Sequence, residues 1–394
     1  MTSFPILFTI FKGLYVALNV GFIIRIYFAL RGPGVARAIR VGICLFAAAL
    51  SSAFLISRGL TENSIWIKII SFAGHFWFAF MFHALLAWML LDVFRFANWR
   101  FRWFVIAQED RVRWRHRSCA GIAVAALAAC VGGWVNGQYP VVREAKLPVP
   151  AGAAPLRIVA LSDLHLGRLT SDAFLSDVVD LIEPLSPDVV LFVGDILEWD
   201  FHPSEAQAAA AVLERLKPRF GIWGVMGNHE FFGGKGKRNK ALLNQIGIRM
   251  LDDQWALIGE NPGEKVLLIG RRDYSWGRKP LQEVISNVPE EDRGALKILL
   301  DHQPVNLAAA EKAGVFLQLS GHTHNGQFFP VNFIVPFLFE NTYGHYKRGQ
   351  THYWVTSGAG AWGPKIRTSG RPEIVLIDLV PQPERLDQTA EPPR

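Results

Sequence analysis

The sequence predicts two folding units of different class: an all-α bundle of about four transmembrane helices over residues 1–137, then an α/β domain over 138–380. A tail, 381–394, rich in Pro, charge and Gln, is expected to be disordered. Three observations carry this reading. The 394-residue chain is too long for one ordinary core. Its first part holds apolar stretches of membrane-spanning length. From Leu156 onward, short apolar runs alternate with amphipathic segments, the pattern of an α/β sheet.

The apolar stretches run roughly 4–30 (interrupted by Lys12 and Arg25), 41–57, 66–94 with an uncharged centre at 69–91, and 118–135. At 1.5 Å per residue the third crosses about 30 Å of hydrocarbon unaided. The second and fourth are near the lower length limit, and the first, with its two charges, is the weakest. Several spans in succession, with no basic run before the first, fit a cleaved signal peptide poorly. Arg25, Arg31, Arg37 and Arg40 come after the first span, and Arg95, Arg100, Arg102, Arg111, Arg113, Arg115 and Arg117 after the third. Only Arg58 and Lys68 lie between the second and third. This asymmetry places the Arg-rich loops in the cytoplasm and the α/β domain outside it.

Charge separates the two parts as well. Residues 1–137 carry 14 Lys and Arg against four acids; of the chain's 41 basic and 34 acidic residues, that leaves 27 and 30 for the rest. A nucleic-acid partner, which needs a basic face on the folded domain, is excluded. The bilayer is the expected partner instead. Segment 95–117, where Arg alternates with Trp99, Phe101, Trp103, Phe104 and Trp114, reads either as an interfacial helix under anionic headgroups or as an ordinary cytoplasmic loop. His75 and His83, eight residues apart in the third span, read either as metal or haem ligands or as neutral histidines bonded between helices. Cys44, Cys119 and Cys130 all fall in the first part, so the α/β domain uses neither disulfides nor thiolate ligands.

Within the α/β domain, LRIVALS (156–162), DVVLFVG (188–194) and FGIWGVMG (220–227) read as buried strands, with helices over 172–185 and 204–216. Further strands are expected at 265–270, 296–300, 315–319, 352–357 and 373–379. The informative feature is the set of polar residues at the strand ends. The first strand runs into Asp163-Leu164-His165, the second into Gly194-Asp195, and the third into Gly227-Asn228-His229-Glu230. The strand at 296–300 runs into Asp301-His302, and that at 315–319 into Gly321-His322-Thr323-His324. Open α/β sheets bind ligands beyond the carboxyl ends of their strands. Five strand ends here deliver carboxylate, imidazole or carboxamide, which suit divalent metals such as Mn, Fe, Zn or Mg.

The set DLH (163–165), GD (194–195), GNHE (227–230), His302 and GHTH (321–324) resembles the calcineurin-like metallophosphoesterase family. It is most similar to a bacterial envelope branch whose last motif reads GHTHxGQ, here Gly321 to Gln327. The resemblance spans about 155–380 and implies a four-layered α/β/β/α sandwich. It also implies two divalent metal ions (Mn, Fe or Zn), one held by Asp163, His165, Asp195 and His324, the other by Asp195, Asn228, His302 and His322. Asp195 would bridge them, and His229 would be a catalytic non-ligand near the scissile phosphate. Asn325, where relatives often have Gly, is a departure expected to reshape the pocket lip and leave the metal site intact.

The implied activity is phosphoester hydrolysis, of a diester or a monoester, by hydroxide shared between the metals and without a phospho-enzyme. His229 would protonate the leaving oxygen or stabilise its charge, with Asp163 as its orienting partner. Glu198, Asp200 and Glu230 read as solvated loop acids, and His345 and His352 as surface or packing residues. FFPVNFIVPFLF (328–339) reads either as core or sheet edge, or as an apolar lip admitting a lipid tail, which would make the substrate an amphiphilic phosphoester. A lipid nucleotide-sugar pyrophosphatase and a non-catalytic scaffold on the same fold are the alternatives.

Overall fold

A computed structural model describes residues 3–60, 62–150, 153–170 and 172–382. The expected disordered tail therefore lies, from residue 383 on, outside the described residues. The chain divides into two compact units: Met1–Gln138 with Gly363–Thr368, and Tyr139–Trp362 with Ser369–Arg394.

The first unit is built from α1 (Ser3–Ala29), α2 (Arg37–Ser57), α3 (Ile65–Phe101) and α4 (Arg111–Gly137). All four are long and apolar enough to cross a membrane. Tyr15, Phe22, Phe54, Trp77, Met81 and Trp88 are buried among them. One of the two charges that weakened the first span is partnered, since Arg25 pairs with Asp92 of α3. Trp77 Nε1 donates to Asn19 Oδ1 at 2.8 Å.

Segment 95–117 corrects both readings made of it. It is neither a separate interfacial helix nor a single loop: α3 continues through Arg95 and Arg100, and α4 begins at Arg111. Arg and aromatic residues are tolerated in a helix, and their apolar stems can lie along neighbouring side chains. α3 stops where Arg102 turns left-handed (φ 53°) and donates to the Asn98 carbonyl. His75 and His83 bond within their own helix, each Nδ1 donating at 2.7 Å to the carbonyl four residues back, Ser71 and Ala79. His83 Nε2 also lies 2.9 Å from Thr368 Oγ1. Neither joins a metal-competent cluster among the described residues.

In the second unit the chain runs β1 (Val141–Val149), β2 (Leu156–Leu161), α5 (Asp172–Ile182), β3 (Val189–Val193), α6 (Ala206–Leu213), β4 (Ile222–Val225), α7 (Gly236–Gln245) and β5 (Arg249–Met250). It continues through β6 (Gln254–Ile258), β7 (Val266–Gly270), α8 (Leu281–Ser286), β8 (Leu296–Leu300), α9 (Leu307–Lys312), β9 (Leu317–Ser320), β10 (Gly344–Arg348), β11 (Thr351–Val355) and β12 (Glu373–Pro381). Two six-stranded mixed sheets result, ordered β1-β12-β2-β3-β4-β5 and β10-β11-β9-β8-β7-β6.

Strand alternation builds the layers, because successive side chains point to opposite faces. Ile158, Ala160, Val189, Leu191 and Val193 face the other sheet and pack with Leu268, Ile298, Leu300, Leu317 and Leu319. Val159, Leu161, Val190 and Phe192 face outward onto Val178 and Ile182 of α5, Leu213 of α6 and Leu243 of α7. On the far side, Leu267, Ile269 and Leu299 pack against Val284 of α8 and Leu307 of α9. The order is α/β/β/α, as expected. Central strands covered on both faces read as continuous apolar runs, and that is how they were visible in the sequence.

Candidate metal centre

Parallel pairing of β2, β3 and β4 in one sheet, and of β8 and β9 in the other, aligns the carboxyl ends of all five strands. The loops leaving them meet there. Three groups of side chains converge with ligand atoms within 4.8 Å of one another: Asp163, His165 and His324; Asp195, His302 and His322; and His165, Asp195 and His229. Asp163 Oδ1 lies 3.2 Å from His324 Nε2, and Asp195 Oδ2 lies 3.2 Å from His302 Nε2.

The backbone is bent sharply to make this convergence. Asp163, His165, Asp195, His322 and His324 all adopt positive φ, between 49° and 68°. Non-glycine residues rarely do so, and strain of this kind gathers at functional sites. Asn325 is also left-handed (φ 47°), which explains the departure there: Asn tolerates that region best after Gly. Gly227 and Gly321 have no room for a side chain, because a Cβ would collide with Asp195 at the first and with Ser162 and Asp163 at the second.

Each of three imidazoles has its Nδ1 committed elsewhere, which fixes the tautomer and turns Nε2 inward. His165 Nδ1 donates to Glu198 Oε2 at 3.0 Å, His229 Nδ1 to Glu198 Oε1 at 2.8 Å, and His302 Nδ1 to the Val193 carbonyl at 2.8 Å. Asp195 Oδ1 accepts the His229 backbone N–H at 2.9 Å. Asp163 accepts the His322 backbone N–H and the Ser162 hydroxyl.

Two expectations are corrected here. The partner of His229 is Glu198, where Asp163 was expected. Glu198 and Glu230 are also not solvated. Glu198 bridges two imidazoles, and Glu230 is fully buried, accepting the backbone N–H groups of Asp195, Leu197 and Gly227 at 2.7–3.2 Å. Asp200 is half-buried and accepts the Arg168 backbone N–H. Each of these acids stands five to seven residues beyond a strand end, where loop acids are usually wet; only the folded loop encloses them. His345 and His352 meet each other at 2.8 Å on the β10–β11 hairpin, consistent with packing.

Electrostatics agree with a cation site. Burial would raise Asp163 and Asp195, but the neighbouring imidazoles outweigh it and hold both below the usual carboxylate range. Burial, aided by His302, lowers His322 to about 3, so its ring is neutral and offers a lone pair. Burial opposes the imidazolium of His229, yet Glu198 and then Asp195 carry it up to about 9. Among the candidate ligands, two buried atoms lack any hydrogen bond: Asn228 Oδ1, and His302 Nε2, which approaches Asp195 without hydrogen-bond geometry. A buried acceptor and a buried imidazole nitrogen without partners are what a coordinated metal would satisfy. The residues present therefore fit divalent metal ions.

Comparison with known proteins agrees with this geometry. The family model described as calcineurin-like phosphoesterase matches residues 156–326. The chain is 30% identical to an uncharacterized metallophosphoesterase of Campylobacter jejuni, over 61% of this chain and 64% of that one. It is 34% identical to a Danio rerio transmembrane protein with metallophosphoesterase domain, over 67% of this chain and 63% of that one. An uncharacterized metallophosphoesterase of Aquifex aeolicus is 30% identical over 57% of this chain and 85% of its own length. The chain thus spans a little under two thirds of the first two relatives.

Proposed function

We propose that this chain, which belongs to the calcineurin-like metallophosphoesterase family, is a membrane-anchored phosphoester hydrolase that uses two divalent metal ions. The observation that carries this is the pair of ligand triads, Asp163-His165-His324 and Asp195-His302-His322, with His165 and Asp195 themselves close. Asp163, His165, Asp195 and His324 would hold one ion; Asp195, Asn228, His302 and His322 would hold the other. When bound, such ions lower the pKa of water to supply a nucleophile at neutral pH and draw charge from the phosphate oxygens.

The chain's own residues complete the chemistry. Glu198 fixes the His229 ring by its Nδ1–H, so Nε2 is the atom free to carry a proton to the leaving oxygen. Metal ions nearby would lower the His229 pKa from its metal-free position toward the working range. The same Glu198 holds His165, so one carboxylate positions both a ligand and the proton donor. Gln327, in the GHTHNGQ run that supports the envelope-branch reading, exchanges two hydrogen bonds with the Trp362 backbone, at 2.9 and 3.1 Å, and braces the last ligand loop. A complete donor set weighs against the scaffold alternative.

The direct test is hydrolysis of an aryl phosphodiester and an aryl phosphomonoester by the full-length protein. Activity should vanish with chelator and return with added Mn; activity indifferent to chelator would refute the proposal. Arginine asymmetry supports placing the catalytic unit outside the cytoplasm. A Lys312→Cys variant, at an exposed site, should then take up a membrane-impermeant thiol reagent in intact cells more than the parent chain does. Labelling only after lysis would invert the topology.

A further inference from the structure

The apolar run after the last ligand loop is not core. Among the described residues of the catalytic unit, nine large apolar side chains are exposed, and five of them, Phe329, Phe333, Ile334, Phe337 and Leu338, lie within ten residues. Phe337 is 87% exposed and Leu338 70%. Two one-turn 3-10 helices, Val331–Phe333 and Val335–Phe337, present them. The Ile334 N–H donates to the Val331 carbonyl at 2.8 Å, and the Leu338 N–H to the Val335 carbonyl at 2.9 Å. Phe328 and Val335 are buried and root the segment. An ordered scaffold thus holds apolar side chains in water, an arrangement that marks a surface awaiting an apolar phase.

Two further observations say which phase. Phe339, next in the chain, stands edge-on to the His322 ring at a centroid distance of 5.9 Å, so the display adjoins a candidate ligand. Only three residues, 138–140, separate α4 from β1. At no more than about 3.5 Å each, they tether the catalytic unit closely to helices that are long and apolar enough to cross a membrane. Resting on the phosphoesterase reading, we infer that segment 329–338 dips into the hydrocarbon of the adjacent leaflet, and that the substrate is an amphiphilic phosphoester. Its acyl chains stay in the bilayer while its phosphate enters the metal centre. The reaction is a hydrolysis: the oxygen of water bonds to phosphorus, the bond from phosphorus to the leaving oxygen breaks, and that oxygen takes the proton.

The test holds the headgroup constant and varies the tail. Full-length protein in vesicles is assayed on dioleoyl and dibutyryl phosphatidic acid, on the same pair of phosphatidylglycerols, and on the soluble aryl esters. Wild type should hydrolyse at least one dioleoyl lipid about tenfold or more faster than its dibutyryl counterpart. The double variant Phe337→Ser/Leu338→Ser alters only exposed side chains and leaves Phe339 in place against His322. It should lose about tenfold on the dioleoyl lipid and stay within about twofold on the dibutyryl one. No chain-length preference, or equal loss on both, overturns the inference. Wild type active on soluble esters but on neither dioleoyl lipid overturns it too, and leaves the phosphoesterase reading standing. Inactivity on every ester in the presence of Mn sinks that reading, and this inference with it.

Discussion

Replacing Asp195 by Asn should lower kcat/KM on an aryl phosphoester by about 1,000-fold or more, equivalent to roughly 4 kcal/mol of transition-state stabilisation. Asp195 belongs to two of the three clusters and is the residue that joins the two predicted ion sites. The fold should survive. Asn keeps an oxygen able to accept the His229 backbone N–H, now held at 2.9 Å by Asp195 Oδ1. Losing the carboxylate that the His302 and His229 imidazoles favour should lower the stability of the metal-free protein without abolishing the fold. Wild type should gain thermal stability when Mn is added, because ligand binds only the folded state, and the variant should gain far less. A variant within about tenfold of wild-type activity at saturating Mn would show that Asp195 is not shared between ions.

The second large effect concerns His229 and its partner. His229→Ala should reduce hydrolysis of an alkyl ester by about 100- to 10,000-fold, the range for a lost general acid. A nitrophenyl ester, whose leaving group needs no proton, should lose less than about tenfold. At saturating Mn, Glu198→Gln should fall between, and the double variant should be no worse than His229→Ala alone, because the two act as a unit in proton transfer. Glu198 also holds His165, so its loss should weaken metal affinity by about 10- to 100-fold; excess Mn would restore that part of the defect. Equal losses on both leaving groups would remove His229 from proton transfer.

How far the sequence carried the fold depended on burial. The central strands β2, β3, β4, β7, β8 and β9 were visible because both their faces are covered. The four strands the pattern missed, β1, β5, β6 and β10, are the four sheet edges. An edge strand has one neighbour and often a wet face. β1 (VVREAKLPV) carries Arg143, Glu144, Lys146 and Pro148, which break up the apolar run that a covered strand shows, and its one neighbour is β12. The ligand candidates were legible because the chemistry demands unusual residue types at a fixed place, the carboxyl end of a strand. Glu198 and Glu230 were not, because their roles come from what the loops enclose: two imidazoles for one, three backbone N–H groups for the other. No local pattern distinguishes such an acid from a solvated one. The 328–339 run left its two readings open for a related reason. Composition cannot say whether apolar residues face inward, and here Phe328 and Val335 do while Phe337 and Leu338 do not.

Whether the centre is a shared two-ion site can be decided by titrating the metal-free full-length protein with Mn. Bound metal and phosphoester hydrolysis are followed in the same samples. Saturation is expected at two ions per chain, with activity rising along the second equivalent. Saturation at a single ion, or turnover that needs none, would rule the shared site out.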